Sequence, residues 1–101
     1  MYLLRLYVIG QSKRSREAVR NLKDILDEYC KSQYSLEVID LLQNPLMAGY
    51  DKILITPTVI KLLPPPIRRM TGDLSDRTKV LIELDLLNRE NMGGEGRNTY
   101  S

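Results

Sequence analysis

Residues 2–42 carry a strand–helix–strand pattern, and it limits the fold more than any other feature of the chain. "YLLRLYVI" (2–9) is a near-continuous β-prone run with a single charge, Arg5. A run this apolar suits a strand covered on both faces. Gly10 ends it, and the polar loop "QSKRS" follows, with Ser15 as the expected N-cap of the next element and Glu17 in its first turn. Over 16–31, Ala18, Val19, Leu22, Ile25, Leu26, Tyr29 and Cys30 recur at spacings of three and four, and charged residues fill most of the positions between. That periodicity predicts a helix with one apolar face. "SLEVIDLL" (35–42) reads as a second strand, with Leu36, Val38 and Asp40 on one face and Glu37, Ile39 and Leu41 on the other. Two such strands joined through a helix by short loops predict a right-handed βαβ unit, and hence parallel strands.

Prolines govern the second half. Asn44-Pro45 suggests the start of a short helix through "LMAGY". "ILITPTVIKLL" (53–63) is apolar and β-branched but contains Pro57, so it is expected to be an edge strand or one interrupted at the proline. Pro64, Pro65 and Pro66 exclude strand or helix interior, and "IRRMTGDLSDR" reads as a turn region with Asp73 or Ser75 capping a final helix. "KVLIELDLL" (79–87) then supports two readings. With period 2, Ile82, Leu84 and Leu86 share a strand face, and Glu83 and Asp85 point away. With period 3.6, Val80, Leu81, Leu84 and Leu87 form a helical stripe. If the segment is a helix, a strand broken at Ile-Thr-Pro-Thr after a βαβ unit suggests a thioredoxin-like layout, in which such a proline is usually cis. If it is a strand, the second half is rearranged and a strand ends the domain.

The length of 101 residues fits one domain, expected over 1–92, with a polar, Gly-rich tail (93–101) expected to be disordered. No run of 18 apolar residues is present, and the charged apolar start reads as a strand rather than a signal peptide, so a cytoplasmic protein without a membrane partner is expected. Fifteen basic and thirteen acidic residues leave a net charge of +2, and six Tyr with no Trp or Phe offer few stacking platforms, so no nucleic-acid partner is expected. Thiol redox chemistry needs a low-pKa thiolate, normally in Cys-X-X-Cys at the strand-to-helix turn. That turn here is "GQSKRS", and the single cysteine, Cys30, falls on the apolar helix face, where a small buried hydrophobe is expected. With no His and one Cys, a zinc site is not expected, and the glycine spacing of a P-loop is missing. No catalytic residue, cofactor or metal is assigned, and the chain is read as a non-enzyme.

"LYVIG", "LEVIDLLQNP", "DKILITPTVIKLLPPPIRRMTGDLSD" and "KVLIELDLL" together closely resemble the KaiB family of circadian-clock proteins, from about Tyr2 to Leu87 without evident gaps. The resemblance implies an α/β fold of metamorphic kind. One form would be a homotetramer whose C-terminal segment is a strand. The other would be a thioredoxin-like monomer in which that segment is helical and which binds the N-terminal ATPase ring of a KaiC-like hexamer. It also points to Pro57, Pro64, Pro65, Pro66, Glu83 and Asp85 as positions bearing on the switch, and to Lys52, Lys61, Arg68 and Arg69, with 79–87, as a partner-binding edge. Self-association as a tetramer or dimer is a further expectation. The family commonly has Gly where this chain has Glu83 and Lys where it has Glu37, and its acidic tail is replaced by "GGEGRNTYS". Glu37 lies on the strand that presents a surface to KaiA in that form, so a KaiA partner is left open. The alternative reading is a thioredoxin-like binding adaptor in bacterial stress signalling with no clock partner.

Overall fold

The computed structural model describes residues 1–31 and 33–86. Its elements are β1 (Tyr2–Val8), α1 (Lys13–Tyr29), β2 (Tyr34–Asp40), α2 (Leu46–Tyr50), β3 (Thr58–Leu63), β4 (Arg68–Thr71) and α3 (Arg77–Glu83). The strands form one sheet in the order β2-β1-β3-β4, with β1 and β2 parallel and the other two pairings antiparallel. This is a thioredoxin-like α/β arrangement. The helical reading of the C-terminal segment is the one adopted here over 77–83. Leu87 and the tail from 93 to 101 lie outside the described residues.

β1 is an inner strand, and its alternate residues feed two cores. Tyr2, Leu4, Leu6 and Val8 meet the apolar faces of α1 (Ala18, Leu22, Ile25, Leu26) and α3 (Val80, Leu81). Tyr7 joins Ile39, Ile53 and Ile60 on the opposite face, where Met47 and Ala48 of α2 pack over them. Burial of each of these large apolar side chains contributes roughly 1.5–3 kcal/mol, so the alternation of β1 determines where every helix must sit.

Local signals explain where the elements begin, and several correct the sequence reading. Ser12, not Ser15, caps α1: its hydroxyl accepts from the Ser15 amide at 3.2 Å, while the Ser15 hydroxyl donates to Ile9 O at 2.9 Å from inside the first turn. Pro45, not Asn44, stands at the cap of α2, and no side-chain bond is made there. β3 begins after Pro57, so the proline lies outside the ladder and β3 is an inner strand, as the interrupted alternative requires. The Thr56–Pro57 bond is cis, and so are Leu63–Pro64 and Pro65–Pro66. The expected turn over 67–77 contains instead a four-residue edge strand, β4, which buries Met70 after two exposed arginines, Arg68 and Arg69. Asp76 caps α3 by accepting from the Lys79 amide at 3.1 Å, whereas Asp73 closes a local turn with Ser75.

α3 ends in a way that uses both periodicities of "KVLIELDLL". Val80, Leu81 and Leu84 are buried at helical spacing. The chain then leaves the helix through Asp85, whose φ is +56°, and Leu86 is buried two positions beyond Leu84. Asp tolerates this left-handed conformation far better than a β-branched residue does. Asp85→Val should therefore weaken docking of the 84–86 turn by about 1–2 kcal/mol, whereas Asp85→Gly, which loses the carboxylate but not the backbone conformation, should weaken it less. Hydrogen-exchange protection of the Leu84 and Leu86 amides, which bond to Val80 O and Leu81 O, reports the difference.

Candidate partner-binding surface

Thioredoxin-like folds that catalyse thiol exchange do so at the end of β1 and the start of α1. Gly10, Gln11 and Ser12 occupy that turn here. Cys30 sits at the opposite end of α1, buried, and burial pushes its thiol up to about 11. It is a packed hydrophobe, and at neutral pH it carries no thiolate. Among the described residues no group of three or more His, Cys, Asp and Glu is placed to hold a metal ion, and no buried side-chain nitrogen or oxygen lacks a partner.

What the fold does present is an apolar surface. α2 has no fully buried residue; Met47 and Ala48 turn inward, while Leu46 (89% exposed) and Tyr50, four residues apart, turn out. Leu42 before the helix and Leu54 (95% exposed) and Ile55 after it are exposed as well. Such a cluster of large exposed side chains in one segment marks an interaction site. Lys52, exposed and in a left-handed turn at φ +58°, stands between Tyr50 and Leu54.

The four cations expected at a partner edge separate onto two faces. Arg69 lies on the α2 side, paired across the sheet with Ile60, and its guanidinium donates to Asp51 O at 2.6 Å and Lys52 O at 3.3 Å. It thus joins Lys52 at the border of the apolar surface. Arg68 and Lys61 are cross-strand partners whose neighbours on that face, Met70 and Val59, belong to the α1/α3 core. Arg68 is exposed, but Lys61 is only 1% exposed, so in this form it cannot be a surface contact. Burial depresses its pKa, the charge of Asp85 opposes that, and Arg68 adds to it. Glu83 is exposed on α3, Pro57 is buried, and the 64–66 run lies at the β3–β4 turn, away from α2.

Beneath the apolar surface is a polar cluster that the sequence reading did not find. Arg5 donates to Glu37 at 2.9 Å and to Asp51 at 3.0 Å, and the Tyr7 hydroxyl donates to the same Asp51 oxygen. The hydrogen bond to Glu37, reinforced by the one to Asp51, raises the Arg5 pKa. Burial, then the bond to Asp51, pushes the Tyr7 phenol up to about 12. Burial favours protonation of Asp51, but the hydrogen bonds from Tyr7 and Arg5 and the charges of Arg5 and Arg69 outweigh it, leaving the carboxyl below its usual range. The lone charge in the apolar run 2–9 was the available signal, since an inward-pointing Arg5 requires a carboxylate opposite.

An α/β domain of thioredoxin-like fold, without a thiol pair at the β1–α1 turn and with an apolar surface around α2, has the features of a binding module. The KaiB domain model matches residues 5–86, and the chain belongs to the KaiB family. It is 56% identical over 89 residues to the circadian clock oscillator protein KaiB of Rippkaea orientalis and 57% identical over 89 residues to that of Picosynechococcus, in each case covering 88% of this chain and 86% of the relative. Among solved structures it is similar to the N-terminal domain of Synechococcus elongatus SasA, with a TM-score of 0.68, 26% identity, and coverage of 94% of this chain and 87% of that one. The Drosophila melanogaster thioredoxin Deadhead shares the fold at a TM-score of 0.65 and 16% identity, over 86% of this chain and 81% of that one.

The raised acidic pKa values set an alkaline limit on stability. The unfolded chain loses its Cys30 proton from about 9 and its Tyr7 proton from about 10, whereas the folded state holds them to about 11 and about 12. The stability from these groups is complete below pH 9 and is lost as pH rises through that window. Cys30→Ser should remove the first part of the decline, between pH 9 and 11, and leave partner binding at pH 7 unchanged; urea midpoints across pH check the former. A loss of binding that tracked thiol oxidation in the parent would contradict the packing role.

Proposed function

We propose that this chain is a non-enzymatic regulator of a circadian-type timing system, acting by binding the N-terminal ATPase ring of a KaiC-like hexamer in its thioredoxin-like form. The observation that carries the proposal is the apolar surface of Leu42, Leu46, Tyr50, Leu54 and Ile55 in a member of the KaiB family. Lys52 and Arg69 edge that surface and supply electrostatic steering; Lys61 has no part in the contact, and Arg68 lies on the other face of the sheet. KaiA is not included, since Glu37 is already held by Arg5. Leu46→Glu with Leu54→Glu places two charges in an apolar contact while touching no core. Its affinity for a KaiC-type hexamer, measured by co-elution and titration, should fall at least a hundredfold with the fold intact. Unchanged affinity would exclude this face, and no binding by the parent would favour the stress-signalling adaptor without a clock partner.

A second element of the proposal is that 79–87 also serves as a strand in a self-associated form, with Pro57 and Pro64–Pro66 at the borders of the rearranged half. Ile82 supports it: at 62% exposed, it is the residue of the 82, 84, 86 stripe that the helical form leaves in water. Glu83→Val with Asp85→Thr raises strand propensity, lowers helix propensity, and puts a β-branched residue where φ is +56°. The sum is about 1–2 kcal/mol, roughly a tenfold shift in population. Sedimentation should show more oligomer in this variant and hexamer titration weaker or slower binding. Equal masses and equal rates in the two proteins would show that no such equilibrium gates binding.

A further inference from the structure

α2 is too short to hold its own position. It has five residues, no side-chain cap and no fully buried residue, and Gly49 meets nothing within 4 Å of where a Cβ would be. An isolated helix of this length does not persist in water. Met47 and Ala48 give it partial apolar cover on one side. Its C-terminal end is held differently. Asp51, the C-cap residue, receives the Arg5 guanidinium and the Tyr7 hydroxyl on its carboxylate, and Arg69 on its main-chain oxygen. Arg5 and Tyr7 come from the inner strand β1 and Arg69 from the edge strand β4, so three fixed points converge on one residue.

We infer that Arg5, Tyr7 and Arg69 are positioning residues for the α2 surface, acting through Asp51, and that the affinity of that surface for its partner depends on this clamp. The inference rests on the reading of α2 as the docking face. It assigns Arg69 a role within the chain, holding Asp51 and Lys52 in place, in addition to any charge it presents outward. It also gives a function to a residue that no partner can reach in this form: Tyr7 is fully buried. A phenol that affects binding from the core must act through what it holds.

Tyr7→Phe removes one oxygen and keeps the ring in its core, so it breaks the clamp without emptying a cavity. Hydrogen exchange and amide shifts of labelled protein are compared with the parent, and affinity for a KaiC-type hexamer is titrated under conditions where both proteins are folded. The expected result is at least tenfold faster exchange over 46–53, unchanged amides in β2 and the centre of α1, and about tenfold weaker binding. Asp51→Ala, which removes the acceptor of the same contacts, should reproduce the pattern and serves if the Tyr7 variant folds poorly. Unmoved amides over 46–53 in both variants would overturn the clamp whatever happens to binding. A loosened 46–53 with unchanged affinity would overturn its positioning role. In that case the Leu46→Glu, Leu54→Glu variant decides whether the docking face itself is wrong: if that variant also binds like the parent, the reading of α2 falls too, and if it fails to bind, only the clamp does.

Discussion

The two-sided burial of β1 is the constraint from which the rest of the structure follows. Leu4, Leu6 and Val8 commit one face to α1 and α3, and that face closes mainly with aliphatic side chains, with Lys61 buried beside it. Tyr7 commits the other face, and a buried phenol needs an acceptor. Arg5, two positions before it on the same face, needs a carboxylate. The segment that covers this face must therefore bring both apolar cover and negative charge. Residues 46–53 do so with Met47, Ala48 and Ile53 for the core and Asp51 for the polar pair. The outer side of the same short segment is then free of any structural duty, and that is where the exposed leucines and Tyr50 lie. Core and candidate interface are the two sides of one piece of chain.

Lys61 shows the same economy from the opposite direction. A lysine inside a sheet face is costly unless something offsets its desolvation. The charge of Asp85, just beyond the end of α3, favours the ammonium, while that of the adjacent Arg68 opposes it. Asp85 also makes the left-handed turn that lets Leu86 reach the core. One residue thus serves the geometry of the C-terminal turn and the electrostatics of the strand beneath it. The end of α3 is held by a combination of apolar burial and charge.

The first half of the chain was legible from periodicity, because its strands and helix each repeat long enough for the pattern to exceed local noise. Ser15 reads as the cap where Ser12 performs it, since two serines three apart in one polar loop offer the same chemistry and only the backbone path distinguishes them. β4 gives little signal in the sequence, because a four-residue edge strand carries a single buried side chain, Met70, and the two arginines before it read as a turn. The candidate surface was legible only in part. Lys52 and Arg69 lie beside it, but their position relative to Lys61 and Arg68 depends on which way each strand residue points, and that is fixed by a register invisible in the sequence. The apolar side of α2 had a signal in the i, i+4 pair Leu46 and Tyr50, which five residues are too few to establish as helical periodicity.

The double pattern of "KVLIELDLL" is resolved in this form by using each periodicity where the other stops. Helical spacing buries Val80, Leu81 and Leu84, and the alternation of an extended chain buries Leu84 and Leu86. A sequence written for a helix alone would have no reason to place an isoleucine at 82, where it lies on the water side. A sequence written for a strand alone would have no reason to place Asp76 where its side chain caps the first turn of α3. Each form that we propose carries one residue that only the other can use. Exposing Ile82 forgoes roughly 1.5–3 kcal/mol of burial, while losing the Asp76 cap costs about 1 kcal/mol. Terms of similar size on opposite sides keep a balance within reach of a binding partner, because the partner need supply only the difference. That is the physical sense in which this segment's ambiguity can be functional: the terms that favour each reading are close enough in size for the proposed partner to decide between them.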